Sequence, residues 1–323
     1  MITIKRHNIV WVTIVFLAAL LLSGCGHDEP AQDEIFVQTD VYPVQGTPVR
    51  RAHTFDNTTA LQTEAHFTCT AYNAGSLTAY IPTTTVDWNS STSRWEFNGG
   101  SSHYFWPLPA TPGGTYPSLD FFAYMPASGA LPSYISDGPT YSLSGSLATP
   151  NVSFSVSNMP VALTPSDTTK ELVFAVTTAQ NKTNASSGVP LVFRHPFARL
   201  KFRVMGSDVT VNSVTISGIK NNGTCTFDGS TITWTPSGDP ANLVITGTPA
   251  TGDTPYIVIP QTFASDLTFT VNASWNDWGD TPVEHTLSTT VPVSWSPGYS
   301  YSYSFNITPE DLTVNVTNFT EQW

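Results

Sequence analysis

Apolar and polar residues alternate with a period of two in many short segments of the chain. In residues 66–71, 152–157 and 172–177, every second position carries an apolar side chain that would face one side of a strand. Segments of this kind recur with turn signals between them, which is typical of β-sandwiches and barrels. The positions expected to face a core are Phe67, Cys69, Ala71, Val152, Phe154, Val156, Leu172, Phe174 and Val176.

Polar steps rich in glycine mark where these segments end. A strand at 94–97 is expected to run into a turn at the Asn-Gly-Gly of 98–100. The steps at 221–223 and 228–229 are expected to divide the run from 209 to 234 into hairpins, because Asn-Gly and Asp-Gly tolerate positive φ angles. Short helical turns are predicted at 56–63 and 126–134.

The amino-acid composition narrows the predicted fold class to all-β. Charged residues make up 11% of the chain, too few for many exposed helices, and Thr, Val and aromatic residues suit a pleated surface. We therefore predict an all-β fold. Residues 177–188 are polar or small and cannot bury a face, so we place a linker at 181–188 between domains at 35–180 and 189–323.

The N-terminal segment is typical of a secretory signal peptide. Lys5 and Arg6 precede an apolar run at 9–22, and a small-residue cleavage site between Gly24 and Cys25 follows. The sequence Leu-Ser-Gly-Cys at 22–25 resembles a bacterial lipobox, which implies that Cys25 is lipidated and tethers the protein to a membrane. The alternative is an ordinary secreted protein. Residues 25–34 are expected to form an acidic tether that resembles the surface-export signal of lipoproteins in gut anaerobes.

Net charge excludes one class of partner. The chain carries −12, and removing residues 1–24, with Lys5 and Arg6 and no acidic residue, leaves −14. Nucleic-acid recognition begins with a basic patch, so no nucleic-acid partner is expected. The two cysteines that remain after lipidation, Cys69 and Cys225, lie in strand-like runs. They are either two unpaired buried thiols or a disulfide, which the extracytoplasmic compartment allows.

Motifs that carry catalytic chemistry are missing from the sequence. It contains no Gly-x-Ser-x-Gly elbow, phosphate loop or His-Glu-x-x-His, so we expect neither an enzyme nor a cofactor or metal. His195, before Pro196, is expected to satisfy backbone groups at a kink, although a catalytic or metal role is the alternative. The loop 276–280 is expected to be a hairpin turn; calcium binding is the alternative. The triplet 167–169 resembles an O-glycosylation motif centred on Thr168.

Five segments resemble the fimbrillin-like proteins, which are lipoprotein subunits of type V pili. Their order and spacing behind a lipobox carry the resemblance. They are residues 121–126 (FFAYMP), 189–202 (VPLVFRHPFARLKF), 214–219 (VTISGI) followed by Gly223-Thr224, 258–261 (VIPQ) and 295–303 (WSPGYSYSY). The fold that this resemblance implies is two tandem transthyretin-like Greek-key β-sandwiches.

The resemblance also implies a mode of assembly. In those pili an arginine-specific protease removes a leading strand, and a strand from a neighbouring subunit fills the groove by β-strand exchange. Here Ile35, Phe36 and Val37, with Val41 and Val44, are the candidate removable strand. The candidate cut site is Arg50-Arg51, which could equally be a solvated basic pair.

The C-terminal end offers a candidate donor. Leu312, Val314 and Val316 alternate with polar residues, as in a donor strand or simply the last strand of the second sandwich. The expected partners are therefore other pilus subunits, the outer membrane through the lipid on Cys25, and a host or bacterial surface receptor. The alternative function is a glycan-binding surface lipoprotein, with exposed Trp106, Trp275 and Trp278 as its stacking platform.

Overall fold

The computed structural model describes residues 33–41, 58–145, 148–164, 170–205, 208–247, 256–276, 281–308 and 311–322. Almost all regular structure in these ranges is β, so the predicted all-β class is confirmed. In this part of the chain, none of the helical segments combines the length and apolar character needed to span a membrane.

One helix and twenty strands make up the regular structure of the described ranges, apart from a 3-10 turn at Asn98–Gly100. In chain order they are β1 (Val37–Val41), α1 (Thr58–Glu64), β2 (His66–Asn73), β3 (Ala79–Asn89), β4 (Arg94–Phe97), β5 (Leu119–Met125), β6 (Ile135–Ser144), β7 (Thr149–Val156), β8 (Ala162–Leu163), β9 (Val173–Gln180), β10 (Val189–Phe193), β11 (Ala198–Met205), β12 (Thr210–Ile219), β13 (Asn222–Phe227), β14 (Ile232–Ser237), β15 (Ala241–Thr246), β16 (Tyr256–Val258), β17 (Leu267–Trp275), β18 (Val283–Val291), β19 (Tyr299–Thr308) and β20 (Asp311–Gln322).

A seven-stranded sheet encloses the first core. Its strand order is β10-β1-β4-β3-β2-β5-β9, and its two outer strands meet through a bridge between Phe174 and Arg194. The sheet therefore closes on itself around side chains that point inward from most of its strands. Phe67, Cys69 and Ala71 of β2 are fully buried there, as their alternation predicts.

Two further sheets pack face to face around the second core. One has the order β16-β11-β19-β20 and the other β18-β17-β12-β15-β8. Tyr301, Tyr303 and Phe305 of β19 lie in this core together with Phe202 and Phe269. The alternating aromatic residues after Pro297-Gly298 therefore form a core face.

The third core lies against the outer side of the closed sheet. The sheet β14-β13-β7-β6 contributes Phe154 and Phe227, which pack with Phe174 of β9. Val173 and Ala175, on the opposite face of β9, belong to the first core. Strand β9 therefore separates two cores, which explains why its sequence is apolar on both faces.

Most turn predictions agree with the structure, and two do not. The strand at 94–97 runs into the 3-10 turn, and the step at 228–229 closes the β13–β14 hairpin. The step at 221–223 does not form a hairpin, because β12 and β13 belong to different sheets. Residues 126–134 form turns instead of a helical turn, whereas α1 occupies most of the predicted helical segment at 56–63.

Hydrogen-bonded ladders join strands from both sides of residues 181–188. β1 pairs with β10, β7 with β13, and β8 with β15, within a compact unit that runs from Glu34 to Trp323. The division into domains at 35–180 and 189–323 remains a prediction. Cys69 and Cys225 are both buried free thiols, as the unpaired alternative expects.

Candidate site for strand exchange

Strand β1 is the element on which the predicted assembly depends. It lies between two strands that are distant in sequence, running parallel to β10 and antiparallel to β4. The parallel ladder extends from Val37↔Val189 to Val41↔Phe193, whereas the register with β4 is limited to Val37↔Trp95. We call the space between β10 and β4 that β1 fills the β1 groove.

The inward side chains of β1 and of the residues before it fill this groove. Ile35, Val37 and Val41 are 1%, 4% and 6% exposed and belong to the first core. Thr39, at the remaining inward position, accepts a hydrogen bond from Trp95 Nε1 at 3.0 Å. The alternation of the leading segment therefore matches the pockets beneath it, as expected of a bound β-strand.

Aromatic rings form the floor of the β1 groove. Phe67 contacts Trp95 edge-on with ring centroids 4.8 Å apart, and contacts Phe193 at 5.5 Å. The surroundings are apolar enough that burial raises the pKa of the nearby Cys69 thiol from 9.0 to about 12. A groove of this kind would expose an apolar surface to water if β1 left it.

Polar contacts hold β1 and its preceding residues from the outside. Gln38 Nε2 donates to the carbonyl of Ser187 at 2.7 Å, and Val189 N donates to the carbonyl of Phe36 at 2.7 Å. Glu34 Oε1 lies 2.6 Å from His103 Nδ1. The two side-chain contacts, of Gln38 and of Glu34, are exposed or partly exposed, so each stabilises β1 far less than the buried aliphatic side chains do.

Glycine at position 188 allows the close approach of β1 to the loop at 181–188. Its φ angle is +127°, and a Cβ atom there would lie 2.9 Å from Gln38 Cγ. Residues 181–188, predicted as an exposed linker, therefore include part of the wall of the β1 groove. Sequence analysis missed Trp95, Phe193 and Gly188 as groove residues.

Several predicted site residues lie outside the described ranges. They are Gly24, Cys25, Val44, Arg50 and Arg51, together with Thr168, Asp277, Trp278 and Asp280. Leu312, Val314 and Val316 belong to β20, which pairs antiparallel with β19 at the edge of its sheet. Their role as a donor strand remains a prediction.

His195 lies in a buried polar contact at the kink between β10 and β11. Its Nδ1 atom is 2.9 Å from Glu171 Oε2, and both side chains are almost completely buried. The described contact is therefore with a carboxylate, whereas the sequence suggested backbone groups. Within the described residues, no group of three or more His, Cys, Asp or Glu side chains is placed to hold a metal ion.

The glycan-binding alternative needs exposed indole rings. Trp106 is 3% exposed and Trp275 is 4% exposed, and both belong to hydrophobic cores. These two residues cannot present a face to a sugar, and Trp278 lies outside the described ranges.

The fold and the β1 groove together define a multi-sheet β protein whose leading strand lies within its first core. The family profile described as fimbrillin-like matches residues 51–323. The chain belongs to the fimbrillin-like family. A comparison with curated proteins gives no match.

Solved structures share this fold at low sequence identity. The chain resembles a fimbrial protein from Bacteroides vulgatus, with a TM-score of 0.59, 17% identity and coverage of 90% of this chain and 100% of that one. It also resembles candidate cell adhesion proteins from Bacteroides ovatus and Bacteroides uniformis. Their TM-scores are both 0.53, their identities 18% and 15%, and their coverage is 91% of this chain and 98% and 100% of theirs.

Proposed function

We propose that this protein is a surface-exposed fimbrial subunit with a structural or adhesive role, anchored through Cys25 until a protease removes its leading segment. Membership of the fimbrillin-like family supports a fimbrial role at the cell surface. The observation that carries the mechanism is the position of β1. It is a short strand near the N-terminus, yet it completes the first core between β10 and β4.

The proposed trigger is a cut at Arg50-Arg51. These residues lie between β1, which ends at Val41, and α1, which begins at Thr58. A cut there breaks the covalent link between β1 and the rest of the fold. From then on, only noncovalent contacts hold β1, and a strand from another subunit can compete for its place.

The proposed occupant of the vacated groove is the C-terminal strand of a second subunit, residues 311–322. Among the strands that the structure describes, β20 is an edge strand that pairs with β19 alone, so it can leave without breaking a second described ladder. An apolar groove without a strand is an unpaired edge above an exposed core, and it strongly favours association. Polymer formation would then be noncovalent and would need no cofactor.

Controlled proteolysis tests this proposal. Soluble protein comprising residues 26–323 is incubated with a trypsin-like protease and followed on native gels, with Arg50→Ala/Arg51→Ala protein as the matched control. We expect ladders of oligomers from the cut protein only, and we expect an excess of a peptide of residues 33–41 to suppress them. A cut protein that stays monomeric at high concentration would refute the mechanism.

A further inference from the structure

The indole N–H of Trp95 is a specific polar feature of the otherwise apolar floor of the β1 groove. Trp95 is 3% exposed, and its Nε1 donates to Thr39 Oγ1 at 3.0 Å. An indole N–H can donate a hydrogen bond but cannot accept one. A strand that fills the groove must therefore supply an acceptor at this position or cover the N–H without a partner.

Packing fixes the direction in which this N–H points. The Trp95 ring is held edge-on by Phe67, at 4.8 Å between centroids, and by Trp88, at 5.3 Å. Rotation of the ring away from the groove would break both contacts. The donor is therefore preorganised. Its N–H keeps the same direction, and needs the same acceptor, whichever strand fills the groove.

The neighbouring inward positions of β1 require apolar side chains. Ile35, Val37 and Val41 are almost fully buried in the first core, where an unpaired polar group would be costly. The groove therefore presents two aliphatic sites, then a donor site, then a third aliphatic site along the direction of β1. A strand that has valine or leucine at all four positions fits the shape but not the polarity.

We propose that Trp95 selects the strand that enters the β1 groove, by requiring a hydrogen-bond acceptor at the position of Thr39. This proposal rests on the proposed function, because it concerns the strand that replaces β1. The proposed occupant of the β1 groove is the terminal strand of a second subunit, and this strand carries Thr, Ser or Asn at the third inward position. In residues 311–322, Val314, Val316 and Asn318 follow one another at alternate positions and so supply two aliphatic side chains and then an acceptor, with Thr320 at the position that Val41 occupies in β1.

Peptide binding to the cut protein tests the selection directly. The probe is a fluorescent peptide of residues 33–41, compared with its Thr39→Val and Thr39→Ser forms. Valine has nearly the shape of threonine without the acceptor, whereas serine keeps the acceptor. We expect the Thr39→Val peptide to bind about 2- to 12-fold more weakly, the ratio for one net hydrogen bond, and the Thr39→Ser peptide to show a smaller loss. Equal affinities of the threonine and valine peptides would overturn the proposal.

A Trp95→Phe variant separates polarity from shape. This variant removes the donor and keeps an aromatic ring, so we expect the threonine peptide to lose its advantage over the valine peptide. A persistent preference for threonine on Trp95→Phe protein would assign the discrimination to something other than the indole and overturn the proposal. The difference between the two preferences is the coupling between the two positions.

The intact chain supplies a readout that does not depend on strand exchange. In uncut protein, the opening of β1 is measured by amide hydrogen exchange for the wild type, Thr39→Val, Trp95→Phe and the double variant. We expect Thr39→Val to speed opening about 2- to 12-fold only when Trp95 is present. If no peptide binds the cut protein but this coupling is found, the proposed strand exchange is wrong. The requirement of Trp95 for a hydrogen-bond acceptor on the strand beside it is then still supported. If the coupling is absent, the selection by Trp95 is refuted.

Discussion

A substitution at Val37 tests most directly how strongly β1 is held in the β1 groove. It pairs with Val189 on one side and Trp95 on the other, and its side chain is 4% exposed. We consider the substitution Val37→Ala, which shortens this side chain without changing charge or hydrogen bonding. It should weaken β1 without disturbing the polar contacts outside the groove.

The size of the effect follows from the atoms removed. Two buried methyl groups are lost, and each contributes about 0.8 kcal/mol of transfer free energy. The rigid aromatic floor around Trp95 and Phe67 leaves little room for collapse, so a cavity contribution adds to this loss. The free energy that holds β1 in its groove should fall by about 2 kcal/mol, which increases opening about 30-fold.

Native-state hydrogen exchange of the uncut protein measures this opening. The amides of β1 should exchange about 30-fold faster in Val37→Ala, while amides of β17 in the second core should be little affected. Val271→Ala is the matched control, because Val271 is fully buried in that second core. It should lower global stability and leave the local opening of β1 unchanged. If both substitutions change β1 exchange equally, β1 does not open independently and the reasoning fails.

Three further predictions concern residues away from the floor of the groove. Gly188→Ala should loosen β1 by forcing Gln38 aside, whereas Gly129→Ala, with a φ of +89° and no atom within 4 Å of its added Cβ, should not; β1 exchange distinguishes them. Asp120→Ala should lower the free energy of unfolding by about 2–4 kcal/mol in urea titrations, because Asp120 accepts from Gly75 N and Ala179 N, and Asp120→Asn should cost less. The pKa of Cys69 is raised to about 12 in the folded state, so its contribution to stability is complete below pH 9 and is lost as pH rises towards 12. The urea concentration at the unfolding midpoint should decrease between pH 7 and pH 11 in both proteins. This decrease should be smaller for Cys69→Ala than for the wild type.

The sequence predicts which segments are strands more reliably than it predicts their partners. Alternation in residues 66–71 and 152–157 identifies both the strand and its buried face, because the side-chain period depends only on the local backbone. The pairing of Val37 with Val189 depends on a closure over about 150 residues, which no local pattern encodes. The double burial of β9 had a visible signal, since Val173 and Ala175 are apolar at the positions expected to be polar.

Some residues of the candidate site can likewise be predicted from the sequence, and others cannot. Ile35, Val37 and Val41 are indicated as strand residues by the resemblance to fimbrillin-like proteins, which implies a removable strand ahead of Arg50-Arg51. Trp95 cannot be assigned to the same site from sequence, because its role depends on a side-chain contact with Thr39 across two strands. Gly188 lies at the end of the predicted linker, and the approach of Gln38 that requires a glycine there is a tertiary feature.

The parallel pairing of β1 with β10 sets an order of events during synthesis. β1 is made early, yet its parallel neighbour β10 ends at Phe193, so the seven-stranded sheet cannot close until about 150 further residues have been synthesised. β7 likewise waits for β13, which completes at Phe227. β1 and β7 therefore remain without these partners until residues 193 and 227 have been made, and their apolar faces are open to wrong association during that interval.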